Sequence, residues 1–274
     1  MARSLLIHNA VMRLWPLGKL INRAANLPLI GPLFEPLASS SKDEALIIPV
    51  QQAVVGTESL VLPYQLLAPL IEGTSARILM NHCLCRQGEG CTSYPKDIGC
   101  IFLGQGAGGI HTRLGRAVDA DEALAHVGNG MSAGLTPLVV HSAFDAWLLG
   151  IPYRRTLAVC LCCECCCSVQ QGLLLGPSSF WETVVRVPGL SINIAQACTG
   201  CGECVPVCPV RAISLDGGHA SVSELCKGCG RCVAACPVKA IEIHLDESID
   251  SSRQLLARIA QRTDIGLEAT GRTG

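Results

Sequence analysis

Apolar positions recur with helical spacing over residues 4–14, halt at Pro16 and resume over residues 17–25. Prolines at 28, 32 and 36 then interrupt the pattern. Arg3, Arg13, Lys19 and Arg23 sit among the apolar positions, and Glu35 is the only acid before Asp43. Residues 1–45 therefore read as a basic amphipathic arm. Such an arm can pack over the chain's own core, dock into a partner's groove, or rest on an anionic membrane surface through residues 1–30. The pattern leaves all three open.

Over residues 46–190 short aliphatic runs alternate with longer amphipathic ones. Strands are predicted at 45–49, 77–81, 138–141 and 156–159, and helices at 64–72 and 120–133. The second helix has Asp119 as a cap, Asp121 and Glu122 in its first turn, and Gly134 as its stop. This alternation predicts a parallel α/β layer. Residues 191–247 form a second unit. Residues 248–274 add a helix with Asp250 as cap and Leu255, Leu256 and Ile259 on one face, expected to pack back onto that unit, and a tail. The fold class is α+β.

Composition narrows the chemistry. The chain has 274 residues, of which 18 are cysteine, yet Met1–Ala10 does not resemble a secretory signal. Cysteines at this density in an unexported chain point to metal thiolates in a reducing cytoplasm rather than disulfides. A net charge of −1 and the absence of a basic patch argue against nucleic-acid partners. Charged residues are 16% of the chain and mean hydropathy is +0.40, so much apolar surface must meet a core or a partner protein. No stretch reads as a bilayer span.

The spacing Cys-x2-Cys-x2-Cys-x3-Cys-Pro occurs twice, at Cys198, Cys201, Cys204, Cys208 and Pro209, and at Cys226, Cys229, Cys232, Cys236 and Pro237. Each run can give three thiolates to one iron–sulfur cubane and its fourth to the other. The expected ligand sets are Cys198, Cys201, Cys204 and Cys236 for one [4Fe–4S] cluster, and Cys226, Cys229, Cys232 and Cys208 for a second. Zinc tolerates Cys-x2-Cys pairs but has no use for a third x2-spaced cysteine and a proline-linked fourth. Gly200, Gly202, Gly228 and Gly230 in the gaps allow close backbone approach. The two segments align at an offset of 28 residues, which predicts a pseudo-two-fold unit, each half with a short helix after its fourth cysteine. Residues 196–246 resemble a bacterial-type ferredoxin domain carrying two 4Fe–4S clusters.

Ten cysteines remain. Cys83, Cys85, Cys91 and Cys100 form one group, and Cys160, Cys162, Cys163, Cys165, Cys166 and Cys167 the other. Both begin with Cys-Leu-Cys after a predicted strand. If those strands run parallel and close together, the groups face one another across a shared crevice at one sheet edge. Neighbours in extended chain point to opposite faces, so Cys162/Cys163 and Cys165/Cys166 should divide. Each group can serve its own cluster, or one or two further iron–sulfur clusters can draw ligands from both. A larger cluster, structural zinc, or buried thiols without metal are the other uses.

The stretches Asn81-His82-Cys83-Leu84-Cys85-Arg86, Tyr94–Gly104 and Cys160–Cys167 resemble a group of poorly characterised prokaryotic 4Fe–4S ferredoxin proteins, many from anaerobes, with a cysteine-rich N-terminal extension. That resemblance implies electron transfer without an established substrate. Gly104, Gly106 and Gly109 formally match a dinucleotide fingerprint, but no amphipathic helix follows to hold a pyrophosphate, and a relaxed loop is the alternative. His82 can replace a thiolate or only hydrogen-bond nearby. Arg154 and Arg155 are candidates to balance cluster charge. The expected function is a multicluster electron carrier or an electron-wiring subunit of an oxidoreductase complex, with redox proteins as partners. The alternatives are a reductase whose N-terminal cluster is the reaction centre, and a redox or oxygen sensor.

Overall fold

The structure, a computed structural model, describes residues 5–38, 42–49, 54–55 and 61–267. Three helices open it: α1 (Leu5–Leu14), α2 (Leu17–Ala25) and α3 (Gly31–Ala38). The proline-rich run expected to break the pattern is the third helix. Pro32 lies in its first turn, where N–H groups lack intrahelical partners, and Pro36 costs one bond near its end. The arm packs over its own domain. Trp15 meets Phe144 edge-on at 5.7 Å, Lys19 pairs with Glu89 at 2.7 Å, and the Asn26 amide donates to the carbonyls of Leu175 and Gly176. Its outer side leaves Leu6, Leu20, Leu29 and Leu33 exposed.

The chain then runs through β1 (Glu44–Ile47), β2 (Val54–Val55), α4 (Val61–Glu72), β3 (Arg77–Met80), α5 (Leu84–Gly88), β4 (Ile101–Leu103) and β5 (Gly115–Ala117). It continues with α6 (Ala120–Ser132), β6 (Thr136–His141), α7 (Ala143–Leu149), β7 (Leu157–Cys162), α8 (Ser168–Leu175), α9 (Ser178–Glu182) and β8 (Val184–Val185). Seven strands form one sheet in the order β5-β3-β4-β7-β6-β1-β8. The expected parallel layer is not what forms. Every neighbouring pair is antiparallel except β1 and β8. Strand β7 returns beside β6, antiparallel to it, after α7 and a short turn at Tyr153–Arg155.

Alternation along β7 sorts its side chains between two cores. Leu157, Val159 and Leu161 join a cluster with Leu66 and Leu70 of α4 and Val127 and Met131 of α6. Ala158, Cys160 and Cys162 join another with Ala146 and Leu149 of α7. Burial on both faces is why the strand reads as a continuous apolar run.

The second unit contains β9 (Leu190–Ile194), β10 (Ile213–Asp216), β11 (His219–Val222), α10 (Arg231–Ala235) and β12 (Ile241–Leu245). Strand β12 pairs antiparallel with β9 and parallel with β2, so residues 54–55 tie the first unit to the second. The short helix of the second repeat precedes the fourth cysteine instead of following it. Pro237 disfavours helical backbone at Cys236, which is extended at φ −79° and ψ 110°. Helix α11 (Ser251–Arg262) also departs from expectation. Its Arg258 and Arg262 pair with Glu44 at 2.7 and 3.0 Å, and its Leu255 and Ile259 share a core with Leu46 and Val139, so it caps the first sheet. Among the described residues no helix is long and apolar enough to cross a membrane.

Candidate metal centres

The two Pro-terminated runs adopt matching backbones. Gly200 and Gly228 both take φ of +67°, and Arg211 and Lys239, 28 residues apart, both take +53°. A Cβ at Gly200 would lie 2.1 Å from the carbonyl oxygen of Gly218, so only glycine fits that close approach. The amides of Ala212 and Ala240 donate to the sulfurs of Cys208 and Cys236 at 3.1 and 3.3 Å. Such N–H···S bonds fix a thiolate and tune a bound cluster. Cys204 lies within electrostatic range of Cys198, Cys201 and Cys236, while Cys232 faces Cys229, Cys226 and Cys208. Each group thus draws its fourth member from the other run. Burial pushes Cys204 up, and Cys232 to about 12, the cost of ionising these thiols without a cation.

The remaining ten cysteines come together across the first sheet. Strands β3 and β7 both pair antiparallel with β4, and therefore point the same way. Met80 and Cys100 are backbone-bonded at 2.9 Å, and Ile101 sits opposite Val159, which brings Cys83, Cys100 and Cys160 to one edge. The two Cys-Leu-Cys segments do share that edge. Six thiols close a ring there: Cys83 neighbours Cys100 and Cys85, Cys85 neighbours Cys167, Cys100 neighbours Cys160, and Cys162 links Cys160 to Cys167. Cys91, Cys163, Cys165 and Cys166 form a separate tetrad. Each set takes members from both sequence groups. Cys162 and Cys163 divide between faces as extended chain requires. Cys165 and Cys166 do not; a turn replaces the strand after Cys163, and their sulfurs stand 3.5 Å apart.

The ring walls a cavity of about 530 Å³ whose opposite side is formed by the arm, including Trp15, Leu17 and Ile21. Hydrogen bonds to Cys100 and Cys162 hold Cys160 below the usual thiol range, whereas those partners are pushed well up. At the rim, burial raises half-buried Asp145 to about 7.

Arg86 is the functional side chain that sequence reasoning missed. It is fully buried, and its guanidinium donates to the carbonyls of Pro95 and Leu161 at 2.7 Å and to that of Ile98. No described carboxylate pairs with it. Cys83, Cys100 and Cys163 surround it, drawn from both the ring and the tetrad. A buried guanidinium balanced only by sulfur fits thiolates, not thiols. The available signal was its place one residue beyond Cys-Leu-Cys. Arg154 and Arg155, the expected charge partners, are exposed, and Arg155 bonds Gln105. His82 is exposed as well. The glycine motif after β4 forms a short 3-10 turn packed under the Arg155 carbonyl and offers no α-helical N-terminus to a nucleotide.

Soft thiolate donors, backbone amides aimed at sulfur and a buried cation fit iron–sulfur cargo in both regions. Comparison with known families agrees for the second unit: residues 197–240 match the 4Fe-4S dicluster domain. No curated protein and no solved structure matches the chain. The second unit is thus a ferredoxin-type iron–sulfur domain, and the cysteine constellations support an iron–sulfur electron-transfer role.

Proposed function

We propose that this chain is a cytoplasmic multicluster electron-transfer protein, a ferredoxin-like carrier or the wiring subunit of an oxidoreductase complex. Bound clusters supply one-electron chemistry. Cys198, Cys201, Cys204 and Cys236 hold one [4Fe–4S] cluster, and Cys226, Cys229, Cys232 and Cys208 the other. The ring of Cys83, Cys85, Cys100, Cys160, Cys162 and Cys167 holds a further cluster, with two thiols beyond the four that a cubane binds. The reading for the ring rests on Arg86, a buried guanidinium with Cys83, Cys100 and Cys163 around it and no described carboxylate paired with it. The arm covers the ring cavity and limits water access, while Cys208, Cys226 and Cys229 pack against the same apolar cluster as Cys100 and Cys160. That continuity favours exchange of electrons between the two regions over independent function.

A second reading, a reductase acting at the ring itself, is favoured by Asp145, a carboxyl able to carry a proton near neutrality beside the cavity. Stepwise reduction of anaerobically purified protein, followed by electron paramagnetic resonance, separates the readings. A carrier should show three reducible centres that reoxidise with a protein partner and are unperturbed by small oxidised compounds. Signal loss on addition of such a compound would favour the reductase. Two centres alone would remove the ring from the account.

A further inference from the structure

The cysteine tetrad lies outside the ring and differs from it in scale. The sulfurs of Cys91, Cys163, Cys165 and Cys166 all fall within 4.8 Å of one another, with Cys91 and Cys165 at 3.8 Å. That spacing discriminates between kinds of cargo. A single tetrahedral ion with metal–sulfur bonds of about 2.3 Å sets its ligand sulfurs about 3.8 Å apart. A cubane binds each thiolate through a different iron, so its ligand sulfurs are separated by an iron–iron edge as well as two bonds. Among the described residues no other three His, Cys, Asp or Glu donors gather so closely, and that includes both ferredoxin-type quartets and the ring.

The surroundings fit a closed site. Cys163, Cys166 and Cys91 are 1%, 7% and 6% exposed, and Cys165 is half-buried. The Gln171 amide donates to the Cys165 carbonyl at 3.0 Å, and the Tyr94 hydroxyl donates to the Glu164 carboxylate at 3.0 Å. Both bonds hold the turn that carries three of the thiols. The fourth, Cys91, comes from the loop after α5, so an ion here would staple that loop to the end of β7. Cys163 and Cys166 belong to the core on one side of the sheet, and Cys160 and Cys162 to the core on the other.

We propose that Cys91, Cys163, Cys165 and Cys166 bind one tetrahedral divalent ion, zinc or a sulfide-free iron, as a structural site beside the ring, with Cys163 and Cys166 also edging the cavity that the arm covers. Four thiolates with no open position are the pattern of structural rather than catalytic ions.

The test uses the full chain purified without oxygen. Cys91→Ser combined with Cys165→Ser should remove one metal ion per chain and leave acid-labile sulfide unchanged, with zinc and iron assays naming the ion. Joint loss of about four iron and four sulfide would assign a cubane and overturn the proposal, as would an unchanged metal content. Should the double variant not fold, the unaltered chain decides. Total zinc plus iron should exceed acid-labile sulfide by one ion per chain, and equal iron and sulfide with no zinc would reject the site.

Discussion

The two cysteine-rich regions solve the same problem over different distances in sequence. In the second unit each run of ligands spans eleven residues, from Cys198 to Cys208 and from Cys226 to Cys236. Glycines at φ of +67° and prolines after the fourth thiol set their geometry locally. In the first unit the ring unites residues 83 to 167 and exists only because β3 and β7 flank β4 and point the same way. The local site carries its instructions in spacing. The distant one depends on strand order, and it adds a buried cation that the local one does without.

The sharpest separation of the regions is substitution at Cys160, the ring thiol most inclined to ionise. Cys160→Ser combined with Cys83→Ser and Cys85→Ser leaves the ring three thiols, fewer than a cubane binds, and should remove about four iron and four sulfide per chain while leaving the reduced-state signals of the second unit intact. Loss of those signals as well would mean that the regions fold as one. Removing the counter-charge comes next. Arg86→Met should destabilise the first unit by about 3–5 kcal/mol and deplete its metal, because the surrounding thiolates lose the buried cation beside them. Denaturant unfolding checks this, and a variant as stable as the parent would mean the thiols are neutral.

The contact between arm and cysteine loop offers a milder perturbation. A methyl at Gly88 would fall 2.3 Å from the Trp15 ring. Gly88→Ala should therefore cost about 1–3 kcal/mol of overpacking and free the arm, read as faster proteolysis within residues 5–38. The second unit should be unaffected. The smallest effect is on pH dependence. Burial lifts Asp145 from 3.8 to about 7, so the folded chain holds a proton that the unfolded chain releases. Stability is then lost as pH rises from about 4 through 7. Between pH 6 and 8 the Tm should fall in the parent and stay flatter in Asp145→Asn.

The contrast also marks what could be read in advance. The doubled quartets, the offset of 28 and the glycine positions need only local geometry, and they lead directly to the ferredoxin-type unit. The helix over 120–133 was legible because Asp119 caps it, accepting from the Glu122 amide at 2.8 Å, and Gly134 ends it at φ +82°. Strand direction was not legible. Apolar runs report burial on both faces, which parallel and interior antiparallel strands share. The division of ten thiols into six and four was hidden for the same reason, since it follows from which strands become neighbours. Arg86 was hidden because a charged residue next to Cys85 ordinarily reads as exposed, and its burial depends on the Pro95 and Ile98 carbonyls of the loop that follows and on the Leu161 carbonyl of β7. Likewise, nothing local told α11 to pair with Glu44, more than 200 positions earlier.

One quantity bears most directly on the claim that the first unit holds an iron–sulfur cluster of its own: acid-labile sulfide per chain in protein kept free of oxygen. Two ferredoxin-type clusters and one ring cluster give about 12. A value of about 8, unchanged in the variant combining Cys83→Ser, Cys85→Ser and Cys160→Ser, would contradict it.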